Sequence, residues 1–296
     1  TDIGLSQLFK LAYNHTIDEA TKQVFETITR DKKQYIKLDL AETIFGTTQN
    51  ELLKDEKSKK DTFALKGRVQ FSHFKIDNIP NNYDEVYTVL GSPNSSYYPE
   101  YIAQNCKKDG KVLNDKYNTL MDKTSKIAGW KRYPLRYGKP KFIKAEEGTD
   151  SATKFVPLGT YNGDNFNEFT FSGKVRFHNL KKEEIGALIS ALTFHDNQEN
   201  FYHNIGMAKS LGFGKIKIDI KTNKYKEHLI KYETMMNNFT KDWIASEQIK
   251  ELFTMAFKDL NINDKLKYLK LDPDKNNEFV DKKNIKLNRN IKGREC

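Results

Sequence analysis

The spacing of apolar residues changes several times along the chain, and each change predicts a different element. Over residues 1–60 the spacing is mostly helical: Val24, Phe25 and Ile28 recur at helical intervals, and the pattern continues up to Gly46. Glycine often follows the last turn of a helix, because it adopts the left-handed conformation at no steric cost. The sequence therefore predicts a helical N-terminal segment.

Two later stretches, residues 63–74 and 168–177, alternate apolar and polar residues, which is the period of a half-buried strand. The predicted inward-facing side chains are those of Leu65, Val69, Phe71, His73, Phe169, Phe171, Val175 and Phe177. Residues 66–71 and 173–177 also share a glycine, basic residue, Val, any residue, Phe pattern. Chance similarity between strands is the preferred explanation, and pairing of the two stretches in one sheet is the alternative.

A helix, a glycine-rich loop and a strand follow the second stretch. Asn179 is the predicted N-cap of the helix, because a side-chain oxygen there can accept from the first free N–H groups. An apolar stripe at 3.6-residue spacing comprises Ile185, Leu188, Ile189 and Leu192. Residues 215–221 alternate again, with Ile216, Ile218 and Ile220 inward. Strand, helix, loop and strand form half of a ferredoxin-like fold, which requires residues 168–177 and 215–221 to share a sheet.

Charge adds a candidate partner to this picture. The 296 residues carry 50 Lys and Arg against 40 Asp and Glu, a formal net charge of +10. A basic chain favours an anionic partner such as nucleic acid. Lysine and asparagine are used heavily everywhere, as an AT-rich genome would produce, so genomic bias is the competing explanation. Hydrophobic residues make up 37% of the chain, which excludes a disordered protein.

The two cysteines, Cys106 and Cys296, lie far apart and form no CxxC pair. Their placement argues against a zinc site and a disulfide framework, and it is typical of the reducing cytoplasm. No apolar run approaches the roughly 20 residues of a membrane span, so no membrane partner is expected. The first residue is Thr1 and not Met, so the chain is expected to be part of a longer protein.

The stretch HNIGMAKSLGFGKIKIDI, residues 203–220, combines glycines and lysines directly ahead of a strand. It is neither a Walker A motif nor a Rossmann fingerprint, since both of those precede a helix and this loop follows one. Its glycines permit close backbone approach and its lysines supply charge, so the cluster predicts a ligand-facing loop. The alternative is that the glycines only satisfy the backbone geometry of a tight connection. We prefer this alternative for Gly206 alone. The residues assigned to ligand contact are Lys209, Gly212, Gly214 and Lys215.

His203 is the best candidate among the histidines, because it opens the glycine loop, where an imidazole can contact phosphate or transfer a proton. A structural hydrogen bond is the more common role of a lone loop histidine. No two histidines have the spacing of a metal motif, and neither a metal nor another cofactor is predicted.

The stretch GWKRYPLRYGKP, residues 129–140, interleaves aromatic rings with cations. Cations neutralise phosphates while flat rings stack on exposed bases, so this composition is typical of a single-stranded RNA surface. The alternative is a loop whose rings enter the core and whose cations are solvated. The residues assigned to RNA contact are Trp130, Lys131, Arg132, Tyr133 and Arg136.

The stretches LSQLFKLAYNHTI, DLAETIFG, LKGRVQFS, GWKRYP and YHNIGMAKSLGFGKIKI resemble, in this order, the CRISPR-associated RAMP superfamily. Within it they are similar to a subfamily allied to the backbone subunits of type III effector complexes. The resemblance covers roughly residues 1–220 and is most specific over 155–220. The family's opening strand and the Ser-rich segment after it are not recognisable, so the chain is expected to be the C-terminal part of such a protein.

The resemblance implies an α+β fold with an RRM-like, ferredoxin-like core, long loop insertions and flanking helices. The predicted segments are an N-terminal helical segment (1–60), the core with its insertions (61–222), a C-terminal helical segment (223–270) and a disordered tail (271–296). It also implies an antiviral role, with guide RNA, target RNA and other RAMP or effector subunits as partners.

Some relatives cut RNA, with an acidic residue and a divalent metal or with a histidine. Neither constellation has a counterpart here, and His203 does not match the histidine position of the processing enzymes, so no catalytic residue is assigned. Three hypotheses are carried forward. The preferred one is an RNA-binding subunit that holds guide RNA through the glycine-rich and the aromatic/basic loops; the others are an endoribonuclease and a scaffold without RNA contact.

Overall fold

A computed structural model gives the fold of the chain. It describes residues 27–30, 33–49, 63–77, 85–90, 132–136, 138–140, 142, 144–148, 152–158, 161–162, 165–166, 169–222 and 224–258. These residues belong to two compact units. The first contains residues 27–30, 33–37 and 132, and the second contains the described residues from 38 to 90 and from 133 onward. None of the described helices combines the length and the apolar character needed to cross a bilayer.

The described strands are β1 (Thr27–Arg30), β2 (Lys33–Ile36), β3 (Thr47–Gln49), β4 (Phe63–Leu65), β5 (Val69–Phe71), β6 (Lys75–Ile76), β7 (Val86–Val89), β8 (Ala152–Phe155), β9 (Tyr161–Asn162), β10 (Asn165–Phe166), β11 (Phe171–Ser172), β12 (Val175–Phe177), β13 (His203–Asn204) and β14 (Lys215–Ile216). The α-helices are α1 (Leu40–Phe45), α2 (Lys182–Thr193), α3 (Tyr225–Phe239) and α4 (Glu247–Ala256). Short 3₁₀ helices cover Lys209–Leu211 and Trp243–Ala245.

In the first unit, β1 and β2 form an antiparallel hairpin with Thr27 opposite Ile36 and Arg30 opposite Lys33. The helix predicted through Ile28 is therefore wrong at these residues. Thr27, Ile28 and Thr29 are β-branched, and such side chains favour strands when a partner strand is available. Sequence spacing alone did not reveal that partner.

In the second unit, α1 ends where its sequence predicts, and a capping box fixes its start. Asp39 is the N-cap, and its carboxylate accepts from the Glu42 N–H at 2.7 Å while the Glu42 carboxylate accepts from the Asp39 N–H at 2.9 Å. The helix ends at Gly46, whose φ of 85° suits glycine. The prediction of a helix ending at Gly46 is confirmed.

Residues 68–77 and 170–178 form one long antiparallel ribbon. β5 pairs with β12, with Phe71 opposite Val175, and β6 pairs with β11, with Ile76 opposite Phe171. The register shifts by one residue between the two pairs, so one extra residue near His73 makes a bulge in the first strand. The two stretches with the shared glycine and Phe pattern are therefore paired, which is the alternative the sequence left open. Each predicted long strand is broken into two short ones.

Helices α2 and α3 pack directly against each other through Gly186. A Cβ atom on this glycine would meet the His228 carbonyl oxygen and, at 2.7 Å, the Tyr232 Cβ. Of the predicted stripe on α2, Leu188 and Ile189 are buried. The predicted N-cap Asn179 is wrong, since the helix starts after Lys181, whose N–H donates to the Glu184 carboxylate at 2.7 Å. Glu184 is the third residue of the helix, and its carboxylate accepts from the N–H of the cap residue, as in a capping box.

Arg68 ties the ribbon to both neighbouring helices. Its guanidinium donates to the Thr43 carbonyl oxygen at 2.7 and 2.9 Å, to the Asn179 carbonyl oxygen at 2.7 Å, and bidentately to the Glu184 carboxylate. Burial acts to raise the pKa of Glu184, but the hydrogen bonds from Arg68 and from the Lys181 N–H outweigh it and leave this pKa lowered. The start of α2 is thus fixed relative to the ribbon and to α1.

Aromatic side chains form the core at the other end of α2. The buried cluster of Phe194, Phe201, Phe253 and Ala256 joins the end of α2 to α4, and the Phe201 and Phe253 ring centroids lie 4.7 Å apart. Helices α3 and α4 lie within the predicted C-terminal helical segment, 223–270, of which residues 224–258 are described. Strand β7, which pairs with β8, was not predicted, because its four residues lie in a stretch without a periodic pattern.

The mixture of helices and strands is compatible with an α+β fold, but the predicted common sheet is not observed among the described residues. Among the described residues the strands pair into seven two-stranded sheets. β12 pairs with β5, and β14 pairs with β13, so residues 168–177 and 215–221 do not share a sheet. Beyond Ile216 the alternating stretch is not strand, which leaves Ile218 and Ile220 outside any ladder. The predicted tail, 271–296, lies outside the described residues.

Candidate nucleic-acid interface

The glycine-rich loop is the connection of the short β13–β14 hairpin. His203 lies opposite Ile216, and the Ile205 N–H donates to the Gly214 carbonyl oxygen at 2.8 Å. The 3₁₀ helix Lys209–Leu211 closes the loop, and it ends at Gly212, whose φ is 95°. The hairpin therefore holds the loop in a defined shape.

The three glycines of this loop have different surroundings. A Cβ atom on Gly214 would collide with the Ile205 carbonyl oxygen, and one on Gly212 would lie 3.3 Å from the Arg136 Cβ. Both residues have positive φ, which a side chain would strain. Gly206 also has positive φ, but nothing lies within 4 Å of its Cβ position. The fold thus requires Gly212 and Gly214, and the open backbone is at Gly206.

The second basic stretch contacts the hairpin within the same unit. The Asn204 Nδ2 donates to the Tyr133 carbonyl oxygen at 3.1 Å, and the Lys215 Nζ donates to the Gly138 carbonyl oxygen at 3.2 Å. Gly212 packs against this stretch, with its Cβ position 3.6 Å from the Pro140 Cα. Residues 133–136, 138–140 and 203–216 therefore form one continuous surface, which is called the two-loop face below.

Lys215 has an internal role at this junction. Its ammonium also donates to the Gly212 carbonyl oxygen, so it links the two loops through two backbone acceptors. Burial lowers the pKa of Lys215 to about 8, because removal from water disfavours the charged form. Lys215 was assigned to ligand contact in the sequence, and the structure gives it a position that cross-links the loops.

Aromatic packing anchors the two loops from beneath. The Phe213 ring lies 5.4 Å from the Phe142 ring and 4.9 Å from the Phe155 ring of β8, in tilted and edge-to-face arrangements. Leu135 is buried at 2% exposure, and its N–H donates to the Met255 carbonyl oxygen at 2.6 Å. These contacts connect the two-loop face to the body of the second unit. They were not predicted, since single aromatic residues in loops carry no periodic signal.

His203 contacts the end of α2. Its Nε2 lies 2.8 Å from the Leu192 carbonyl oxygen, and because a carbonyl only accepts, Nε2 carries the proton. Its ring stacks on Phe194 with centroids 4.2 Å apart and planes at 22°. This geometry fits the structural alternative raised for His203.

The exposed groups of the two-loop face are cationic and aromatic. Lys209 is half-buried, and its ammonium donates to the Gly206 carbonyl oxygen at 2.6 Å. Tyr133 is 45% exposed, Lys139 is exposed, and Arg136 is half-buried. Cations of this kind can neutralise phosphates, and an exposed ring can stack on a base.

Some of the assigned residues lie elsewhere. Arg132 belongs to the first unit, and burial lowers its pKa from the ordinary arginine value. Trp130 and Lys131 lie outside the described residues. In the described part of the chain, His, Cys, Asp and Glu side chains do not gather in threes as a metal site would need.

Comparison with known proteins adds a family. The model of the family described as the RAMP superfamily matches residues 22–217, which include the ribbon, α2 and the two-loop face. No curated protein matched the chain.

Proposed function

Because the chain belongs to the RAMP superfamily, we propose that it binds RNA in a CRISPR antiviral system and holds guide RNA on the two-loop face. One observation carries this proposal. Two stretches whose compositions each predict phosphate binding contact each other through Asn204 and Lys215. A single strand of RNA can therefore meet both stretches at once.

Each part of the face has a distinct task in this proposal. Lys209, Arg136 and Lys139 neutralise phosphates, and Tyr133 stacks on a base. The open backbone at Gly206 lets the RNA approach closely, since nothing lies within 4 Å of its Cβ position. Lys215 keeps the two loops together and does not itself contact phosphate.

The finer assignments rest on family membership. We propose a type III-like effector as the setting, guide and target RNA as ligands, other RAMP or effector subunits as protein partners, and the cytoplasm as the location. No catalytic role is assigned to any residue.

Sequencing of copurifying RNA tests the proposal. The full chain is expressed together with a CRISPR array and its partner subunits, purified, and its RNA is sequenced. The proposal expects RNAs that share a repeat-derived tag, enriched over total RNA. A charge-reversed variant, Lys139→Glu/Lys209→Glu, should lose most of this RNA.

A matched variant controls for net charge. Lys221 and Lys226 are exposed cations of the same unit that lie outside the two-loop face. The variant Lys221→Glu/Lys226→Glu changes the charge equally and should retain the RNA. Absence of tagged RNA from the wild-type protein would instead support a scaffold without RNA contact.

A further inference from the structure

The ribbon of residues 68–77 and 170–178 carries a surface that the two-loop face does not use. In the β5–β12 pair, Phe71 lies opposite Val175 and Phe177 lies opposite Val69. Residues directly opposite each other, and residues two apart on one strand, point to the same side of a sheet. These four apolar side chains therefore share one face of the ribbon.

The same face continues across the bulge. Phe171 lies opposite Ile76 in the β6–β11 pair, and alternation from Val175 through Gly173 places Phe171 on the same side. The Phe74 ring lies 2.6–2.8 Å from the Cβ position of Gly173, so it covers the glycine on that side. One extra residue in the first strand thus keeps all the rings together on one face.

These rings are exposed. Phe71, Phe74, Phe171 and Phe177 are 48%, 49%, 43% and 50% exposed, and Phe45 of α1 is 49% exposed. The Phe45 and Phe71 rings are stacked, with centroids 6.5 Å apart and planes at 18°. Single exposed apolar residues are ordinary, but a contiguous group marks a binding surface. This group is called the phenylalanine face below.

The charge of the ribbon indicates what binds there. The ribbon contains one carboxylate, that of Asp77 at its end, which accepts a hydrogen bond from the Ser172 hydroxyl at 3.2 Å. The exposed cations of residues 66–76 and 170–178 are Lys66, Lys75, Lys174 and Arg176. Because a two-stranded ribbon is one backbone thick, these cations lie on the order of one Debye length, ~8 Å at physiological salt, from the rings. By the same alternation Lys174 and Arg176 lie on the side of the ribbon opposite the rings. Exposed rings on a ribbon with more cations than carboxylates suit a flexible polyanion that carries flat bases.

We propose that the phenylalanine face binds single-stranded RNA, with bases stacked on Phe71 and Phe177 and the phosphates drawn toward Lys66, Lys174 and Arg176. The proposal rests on the proposed function in taking RNA as the ligand, but it uses other residues. Stacking tolerates any base, so this surface holds RNA without reading its sequence. A purely apolar protein partner would not require the excess of cations over carboxylates.

The test replaces rings by aliphatic side chains of similar polarity. The variant Phe71→Leu/Phe177→Leu keeps an apolar face but removes stacking, and its circular dichroism should match that of the wild type. Binding of a short unstructured single-stranded RNA is measured by fluorescence anisotropy across a salt series. Each lost stack should weaken binding roughly 5- to 150-fold, with an unchanged salt slope, because stacking releases no counterions.

A matched control and a second readout make the test specific. Phe239, at the end of α3, is 73% exposed, and Phe239→Leu should bind RNA like the wild type. RNA that contains 4-thiouridine should photocrosslink to peptides within residues 66–76 or 170–178. Crosslinks confined to other peptides would overturn the proposal.

The other outcomes are distinguishable. If the wild type binds RNA and the double variant binds equally well, the phenylalanine face is not an RNA surface and the proposed function stands. If the wild type binds no RNA, both fail together. If the double variant loses self-association in sedimentation velocity while its RNA affinity is unchanged, the face is a protein interface and the RNA assignment is wrong.

Discussion

The ammonium of Lys215 is held by the carbonyl oxygens of Gly138 and Gly212, where the two loops meet. Lys209, six residues earlier, keeps its side chain near the surface and bonds only within its own loop. Two lysines of one basic cluster therefore have different roles. Lys215 joins the two loops, whereas the hydrogen bond of Lys209 stays within one loop. The charge of such a cluster can be read from the sequence, but the burial of each side chain cannot.

The depth of Lys215 predicts a pH dependence. Its pKa in the folded protein is about 8, below the unfolded value of about 10.4, so between these values the unfolded chain binds more protons. The free energy of unfolding of the wild type, relative to Lys215→Met, should therefore rise from pH 8 to about pH 10. Urea denaturation at several pH values measures this difference. A difference that falls or stays flat over this range would contradict the burial of the ammonium.

Alanine substitutions at Gly206 and Gly214 are predicted to lower the stability of the protein by different amounts. Gly206→Ala adds a Cβ in open space, and it should cost about 1 kcal/mol for the left-handed conformation alone. Gly214→Ala adds a collision with the Ile205 carbonyl and breaks the 2.8 Å bond that closes the hairpin, so it should cost at least about 2 kcal/mol more. Thermal denaturation should show a melting temperature several degrees lower for Gly214→Ala. Equal melting temperatures would mean that the hairpin does not close as described.

At the scale of elements, the second unit is assembled by close contacts between short segments. Gly186 lets α2 and α3 meet, and Arg68 joins α1, the ribbon and the start of α2. Short strands supply few ladder hydrogen bonds, so these contacts carry much of the arrangement. The ribbon and the two-loop face depend on it for their positions.

The contact at Gly186 predicts that alanine at this position destabilises the protein, although alanine favours a helix more than glycine does. Alanine stabilises a helix interior by about 1 kcal/mol relative to glycine. Gly186→Ala should nevertheless destabilise the protein by about 1–3 kcal/mol, because its Cβ meets the His228 carbonyl and forces the helices apart. Ala191→Gly, at an exposed position of α2, is the control for propensity alone. A more stable Gly186→Ala protein would show that the helices do not cross here.

The Arg68 and Glu184 pair predicts a non-additive double-mutant cycle. Arg68→Met leaves the buried Glu184 carboxylate without its main donor and should cost about 3–5 kcal/mol. Adding Glu184→Gln to Arg68→Met should recover part of this loss, since a neutral amide tolerates burial better. Chemical denaturation of the four proteins gives the coupling energy. Additive effects would indicate that the two side chains do not interact.

Much of the helical structure could be predicted from the sequence. The end of α1 at Gly46, the buried Leu188 and Ile189 of α2, and helices within 223–270 followed from apolar spacing and from residues with strong local preferences. The hairpin at 27–36, the broken strands and the separate sheets did not follow, because strand pairing depends on distant partners. The basic and aromatic composition of both loops was visible, but their contact through Lys215 and Gly212 was not.

For the whole molecule, we propose two RNA surfaces on the second unit. The two-loop face offers cations, a tyrosine and open backbone, and the phenylalanine face offers exposed rings on a ribbon with more cations than carboxylates. The two surfaces differ in how salt should affect them, since phosphate contacts release counterions and stacking does not. This difference separates the charged face from the aromatic one in a single type of experiment.

The most direct test of the central claim is the salt dependence of RNA binding by Lys139→Met/Lys209→Met. The logarithm of wild-type affinity should fall linearly with the logarithm of salt, by about 0.7 for each phosphate contacted. The variant, checked for folding by circular dichroism, should bind every sequence more weakly with a slope shallower by about 1.4, and Lys221→Met/Lys226→Met should match the wild type. A folded Lys139→Met/Lys209→Met protein with the wild-type affinity and slope would contradict the claim that the two-loop face contacts phosphate.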